Sequence, residues 1–179
     1  ISFDLDDTLL HSSCGEPSRP GPVEARLVPG TLALLAELRR AGHRPVLVTA
    51  SSRRRVEFLR ALLPRFMDEF DAIVTSEEIA LAQWRNPALR PSPDTVGLFH
   101  KTPDVLAATL GPGLELGCHI DDSPLVQKAF EEADAEQSFA LMPDVPNPTA
   151  LDVARSLADV LAPETAQTAP ASGISTAAP

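Results

Sequence analysis

The sequence predicts an α/β fold, a three-layer sandwich around a central parallel sheet, from three observations. Short apolar or β-branched runs alternate with segments of helical period, the usual pattern of strands joined by crossover helices. The chain of 179 residues is 44% hydrophobic, enough for one sizeable core, and its length favours a single domain. Acidic residues stand just where the first and fourth of these runs end, at 4–7 and 121–122. In order, the first strand is ISFDL (1–5), followed by a stretch at 11–27 with Pro17, Pro20 and Pro22 that reads as a loop only. A helix follows over 29–41, where leucines at 32, 35 and 38 share a face, Pro29 starts it and Gly42 stops it. PVLVT (45–49) is the second strand, 53–63 a helix, DAIVT (71–75) the third strand and 76–84 a short helix. Then come a helix over 102–110, the strand ELGCHI (115–120), a helix over 124–132, the strand SFALM (138–142) and a helix over 149–161. One domain is therefore expected over 1–162. The remainder, PETAQTAPASGISTAAP (163–179), has one charge and little to bury, and reads as a disordered low-complexity tail.

Composition narrows the function classes. A formal net charge of -10 argues against tight nonspecific binding to nucleic acid, which needs a cationic surface to displace counterions. Cys14 and Cys118 are too few and too far apart for a disulfide scaffold or a zinc ribbon, so a reducing, cytoplasmic setting is the simpler expectation. No stretch has the length of a membrane span. Because the chain begins at Ile1 without Met, an upstream segment or leader is left open, as is the oligomeric state.

The carboxyl ends of parallel strands share one edge, and ligands bind in the crevice there. The first run delivers Asp4, Asp6 and Thr8 to that edge in the order D-L-D-D-T. Two carboxylates so spaced can face one centre with different tasks: Asp4, held ionised by a metal, attacks phosphorus, while Asp6 protonates the departing oxygen and later takes a proton from water. Crowded like charges imply a divalent cation. Equally, Asp and Thr are common where a strand turns into a loop, because they bond their own backbone. The second strand ends in Thr49, with fresh N–H groups at a helix start that suit a phosphate oxygen or, as readily, a helix cap. ELGCHI runs into Asp121, Asp122, Ser123 and Pro124, setting oxygen ligands that suit Mg²⁺ opposite those of the first run, although Asp122 or Ser123 also reads as a cap. Only Lys101 and Lys128 are lysines among 15 basic residues. Lys101 precedes the helix leading to the strand of Asp121 and so reaches the same edge, whereas Lys128 reads as a surface charge.

In that chain order, D-x-D-x-T after a short strand, a strand-ending Thr, a Lys and a strand-ending Asp pair resemble the four signature motifs of the haloacid-dehalogenase (HAD) superfamily, over residues 1–161. The resemblance implies a Rossmann-like, HAD-like sandwich without a substantial cap domain. It implies that Asp4 is nucleophile and metal ligand, Asp6 acid/base and a metal ligand through its backbone carbonyl, and Thr8 a support for the loop. Thr49 and Lys101 would bind the substrate phosphate, Asp121 would bind Mg²⁺, and Asp122 would assist. FDLDDTLLHSS, LVTAS and IDDSP are similar to the branch of phosphatases acting on the RNA polymerase C-terminal domain, also called NLI-interacting-factor-like. That branch more often has Glu at the position of Asp7, Asn at that of Asp122 and Arg-Pro in place of Val28-Pro29, and carries a longer insert after its first motif.

Other residues carry weaker signals. Arg53, Arg54 and Arg55 follow the second motif, where they face solvent or greet an anionic substrate. Zinc is not expected from His11, Cys14, His100, Cys118 and His119, because neighbours on a strand point to opposite faces. Trp84 reads as a plug under the long segment 75–100. The function expected is a Mg²⁺-dependent phosphate monoester hydrolase, an HAD-type phosphatase working through an aspartyl-phosphate on Asp4. In this superfamily small-molecule phosphatases generally close the site with a cap inserted after the first motif or between the second and third; lacking one, this site is expected to admit a phosphorylated macromolecule, phosphoprotein ahead of nucleic acid. The alternatives are a small-metabolite phosphatase lidded by a partner subunit and a non-catalytic binding module. A dehalogenase is disfavoured, since a halide leaves without the proton Asp6 supplies.

Overall fold

A computed structural model of the chain describes residues 1–13, 24–90, 101–110, 113–114, 116–133 and 138–141. Its elements are β1 (Ser2–Phe3), β2 (Leu10–Ser13), β3 (Glu24–Leu27), α1 (Thr31–Arg40), β4 (Val46–Val48), α2 (Arg53–Leu62), α3 (Pro64–Met67), β5 (Ala72–Val74), α4 (Ser76–Arg85), α5 (Pro103–Leu110), β6 (Cys118–Asp121), α6 (Pro124–Glu132) and β7 (Ser138–Leu141). All five expected strands form, and they pair in parallel in the order β5-β4-β1-β6-β7. From the central β1 the chain moves outward through β4 and β5, then returns to the other side of β1 for β6 and β7. The reversal opens a crevice at the carboxyl end of β1, between β4 and β6.

Alternation along the strands sorts side chains into two cores, one on each face of the sheet. Phe3, Leu47 and Ile120 pack with Leu35 of α1, Val56 and Leu59 of α2 and Phe66 of α3. Val46, Val48 and Val74 pack on the opposite face with Ile79 of α4, Val105 and Leu106 of α5 and Phe130 of α6. Each fully buried Leu or Phe contributes about 1.5–3 kcal/mol, so these layers hold the strand ends in fixed relation. The result is the α/β, Rossmann-like three-layer sandwich expected from the sequence.

Several local expectations are corrected. The stretch 11–27 is not a loop only: Leu10 pairs with Leu27, and Ser13 with Glu24, in an antiparallel hairpin of β2 and β3. Its strands read LHSS and EARL, and the buried Leu10 with Val28 just after the hairpin anchors it to the core. Helix α1 begins at Thr31 rather than Pro29, because Gly30 takes a left-handed conformation (φ 88°) as N-cap, while Gly42 (φ 86°) ends it as expected. Its buried face is Thr31, Leu35 and Leu38, and Leu32 is exposed. The single turn α3, started by Pro64, was not anticipated. Trp84 is no plug: on α4 only Ile79 is buried, and Trp84, five residues on, is 71% exposed. Lys128 is exposed beside Glu132, as expected. Cys14, the segment 91–100 with His100, the helix at 149–161 and the tail at 163–179 lie outside the described residues.

Candidate active site

The acidic edge is assembled by three chain segments. Asp4 directly follows β1, and its N–H donates to the Ile120 carbonyl of β6 at 2.8 Å, locking the strand end against its neighbour. The chain then turns tightly: the N–H groups of Leu9 and Leu10 both donate to the Leu5 carbonyl, at 3.0 and 2.9 Å, and Asp7 takes a positive φ of 59°. Asp tolerates that conformation better than most residues. This turn presents Asp4 and Asp6 on the same edge as Thr49, at the end of β4, and Asp121, at the end of β6.

Asp4 is the deep member. It is buried beside Asp121, and the Lys101 ammonium, 6% exposed, donates to Asp4 Oδ1 and, at 2.7 Å, to Asp121 Oδ2. Thr102 accepts from the Val105 N–H at 3.3 Å at the start of α5, so the helix end holds Lys101 at the edge as the sequence predicts. Burial pushes the Asp4 carboxyl up to about 7, the Lys101 charge opposing the rise and the Asp121 charge adding to it. Burial would also lift Asp121, but a hydrogen bond from His119 and the Lys101 charge outweigh it and hold that carboxyl down at about 2. Lys101 keeps its proton, because the Asp4 and Asp121 charges more than offset the cost of its burial.

Asp6 has a different environment. Its Oδ1 accepts from Ser12 at 3.0 Å and from Arg55 Nη2 at 2.5 Å; its Oδ2 accepts from Ser51 at 3.1 Å and from Arg55 Nη1 at 2.5 Å. Burial raises this carboxyl, but the Arg55 hydrogen bonds and charge, with those of the serines, outweigh it and leave it below the ordinary range. The same guanidinium donates to the Ser51 and Ser12 hydroxyls, tying α2 to the hairpin. Arg55 is thus the arginine of the trio that reaches the site. Arg53 instead pairs with Glu78, its N–H bonding Glu77, while Arg54 is exposed. The sequence marked the trio without separating its members; the only available signal was that position 55 falls one helical turn after the Ser52 cap.

Carboxylate oxygens of Asp4, Asp121 and Asp122 lie within 4.8 Å of one another, an all-oxygen donor set that can hold a metal ion. Such a set fits a hard divalent cation of the magnesium kind. Burial and the neighbouring Asp121 charge push the Asp122 carboxyl up, so negative charge at this edge exceeds what Lys101 balances. The Asp6 side chain is not part of this group and points its oxygens at Arg55. Thr49 is buried at the end of β4, and its hydroxyl accepts from the Ser51 N–H at 3.0 Å, shaping the turn that delivers Ser51 to Asp6. Among the described residues the buried Thr8 hydroxyl has no hydrogen-bond partner, so the support it gives the loop comes from its burial.

Cys118 and His119 do face opposite ways: Cys118 lies in the core with Phe3, and its thiol is pushed up to about 11 by burial. His119 stacks on Phe130 with ring centroids 5.6 Å apart. Burial keeps its imidazole below its ordinary value, hence neutral. Neither belongs to an acidic or metal-holding group among the described residues. The bond from His119 to Asp121 was missed in the sequence, where both were weighed only as possible ligands; their spacing of two along β6 puts them on one face. No family model matches the chain, and a search of curated proteins returns no significant match.

Proposed function

We propose that the chain is a Mg²⁺-dependent phosphate monoester hydrolase of the HAD type, with Asp4 as nucleophile. The observation that supports this reading best is the buried bridge of Lys101 between Asp4 and Asp121 at the switch point of the sheet, with a second carboxylate, Asp6, two residues further on. Asp4, Asp121 and Asp122 would hold the cation. Bound there, Mg²⁺ would neutralise charge on the phosphate and keep Asp4 ionised in a place where burial favours its protonated form.

The residues divide the work. An Asp4 carboxylate oxygen attacks phosphorus while the ester oxygen leaves, giving an aspartyl-phosphate; water then attacks that phosphorus and regenerates the carboxylate. Lys101 stabilises charge on the transferring group, and the Thr49 hydroxyl, which accepts from the Ser51 N–H, donates its own proton to a phosphate oxygen. Asp6 supplies the proton to the leaving oxygen and takes one from the attacking water. A dehalogenase would use Asp4 alike but has no task for Asp6.

The substrate we infer is a phosphorylated macromolecule, phosphoprotein first. Where a cap would be inserted, at 11–27 and 75–100, the described residues hold a two-stranded hairpin and the helix α4, neither of them a folded lid. The acidic balance of the chain disfavours nucleic acid. A small metabolite under a lid formed by a partner subunit is the second reading. No helix among the described residues is long and apolar enough to cross a membrane.

The test is an aryl phosphate assayed with and without Mg²⁺ beside a haloacid control, then kcat/KM on phosphopeptides, 3′-phosphorylated oligonucleotides and sugar phosphates. Mg²⁺-dependent release of phosphate, with phosphopeptides preferred, is the expected result. Halide release, or no turnover of any phosphate ester with Mg²⁺ present, rejects the reading. A stable oligomer preferring a sugar phosphate replaces the macromolecular substrate with the lidded alternative.

A further inference from the structure

Ser2 and His119 are register partners on the adjacent parallel strands β1 and β6, and both are fully buried. The Ser2 hydroxyl lies 2.9 Å from His119 Nδ1, with the Cys118 carbonyl as a longer partner at 3.4 Å, and His119 Nε2 lies 3.2 Å from Asp121 Oδ2. An ionised carboxylate only accepts, so Nε2 carries the proton that faces Asp121, while Nδ1 lies against Ser2. The other contacts of Asp121 complete its orientation: Lys101 donates to Oδ2 and the Ser123 N–H donates to Oδ1 at 2.9 Å. Nothing in this chain of bonds opens to solvent, so it is no nucleophilic triad despite its Ser-His-Asp composition.

We propose that Ser2 and His119 are positioning residues: a buried hydroxyl–imidazole relay that fixes the rotamer of Asp121 and so pre-forms the cation site. Stacking on Phe130 sets the ring plane, Ser2 holds the Nδ1 side of the ring, and the Nε2–H aims the carboxylate. Supporting groups behind a metal-binding carboxylate act this way in general, and their loss weakens metal binding roughly 10–100-fold. The proposal rests on the cation-site reading given above.

The experiment measures Mg²⁺ binding by calorimetry on the whole chain, and the His119 tautomer by ¹⁵N NMR on the metal-free protein. His119→Phe keeps an aromatic ring against Phe130 but loses the donor, and should weaken Mg²⁺ binding at least about tenfold. His119→Gln retains an N–H near the Nε2 position and should recover most of that loss, while Ser2→Ala gives a smaller loss. The wild-type ring should carry a proton on Nε2. Unchanged binding in a folded His119→Phe protein overturns the relay, as does a ring without a proton on Nε2; should His119→Phe not fold, binding by Ser2→Ala equal to wild type overturns it. Absence of Mg²⁺ binding by the wild type instead overturns the cation-site reading, and the relay's purpose with it.

Discussion

Asp4 and Asp6 are two residues apart and face the same edge, yet they occupy opposite electrostatic settings. Asp4 is sealed beside a second buried carboxylate and shares one ammonium with it, so its charge is held at a cost. Asp6 is a third exposed, and four donors from Ser12, Ser51 and Arg55 fill its acceptor positions. Depth and partner, more than sequence position, separate the two carboxylates. A carboxylate that burial drives toward protonation gains most from a cation and becomes an attacking group once one is present. One saturated with hydrogen bonds is stable as an anion, and it carries a proton only after a donor lets go. Under the phosphatase reading proposed above, the Arg55 clamp would be the contact that substrate must loosen for Asp6 to act as an acid, and a phosphate is well suited to compete for a guanidinium.

The strongest way to break this contrast is to remove the deep charges one at a time. Asp4→Asn should reduce turnover to background while circular dichroism shows the fold retained, because a carboxamide is neither an anionic nucleophile nor a good ligand for a hard cation. Retained turnover would reject Asp4 as nucleophile. Lys101→Met leaves Asp4 and Asp121 buried without their cation and should cost about 3–5 kcal/mol in urea unfolding without metal. Excess Mg²⁺ should return part of that stability, since an ion bound only by the folded state shifts the equilibrium by mass action. A loss as small as that of an exposed lysine would mean the bridge is not the centre of the site.

Asp6→Asn sharpens the contrast from the other side. With an aryl phosphate, whose leaving group needs little help, phosphate should still accumulate on Asp4, while hydrolysis of the intermediate slows roughly 10²–10⁴-fold. Intact-mass analysis after quenching reads the trapped phosphate directly. Equal loss of both steps would assign Asp6 to shaping the turn and anchoring Arg55.

Much of the fold was legible because strands covered on both faces read as unbroken apolar runs, as PVLVT and DAIVT do. The hairpin was not: LHSS and EARL hold few apolar residues, and its register depends on where Leu10 and Leu27 meet the core. Asp4, Lys101 and Asp121 were legible as a set, since chain order and strand ends alone place them on one edge. Two contacts were not legible. Arg55 reaches Asp6 across 49 residues, which requires knowing how α2 sits over the turn after β1. The Ser2 hydroxyl behind the ring of His119, which itself bonds Asp121, is revealed only by the pairing of β1 with β6.

The smallest expected effect tests whether the Arg55 clamp is electrostatic in the way its geometry indicates. Arg55→Met keeps much of the side-chain stem and removes the guanidinium. With both partners partly exposed, solvent screens the pair, so the loss at pH 7 should be about 1 kcal/mol rather than the several expected for Lys101. Its pH dependence has a definite sign. The Asp6 carboxyl is held below its ordinary value of 3.8 in the folded protein, so the clamp contributes fully above that value and loses its contribution as pH falls below it. Urea unfolding of wild type and Arg55→Met should therefore differ at pH 7 and converge as the pH drops below 3.8. A penalty that stays constant through that range would place the worth of Arg55 in its links to Ser12 and Ser51, and Asp6 would then be free to exchange its proton without the arginine having to leave.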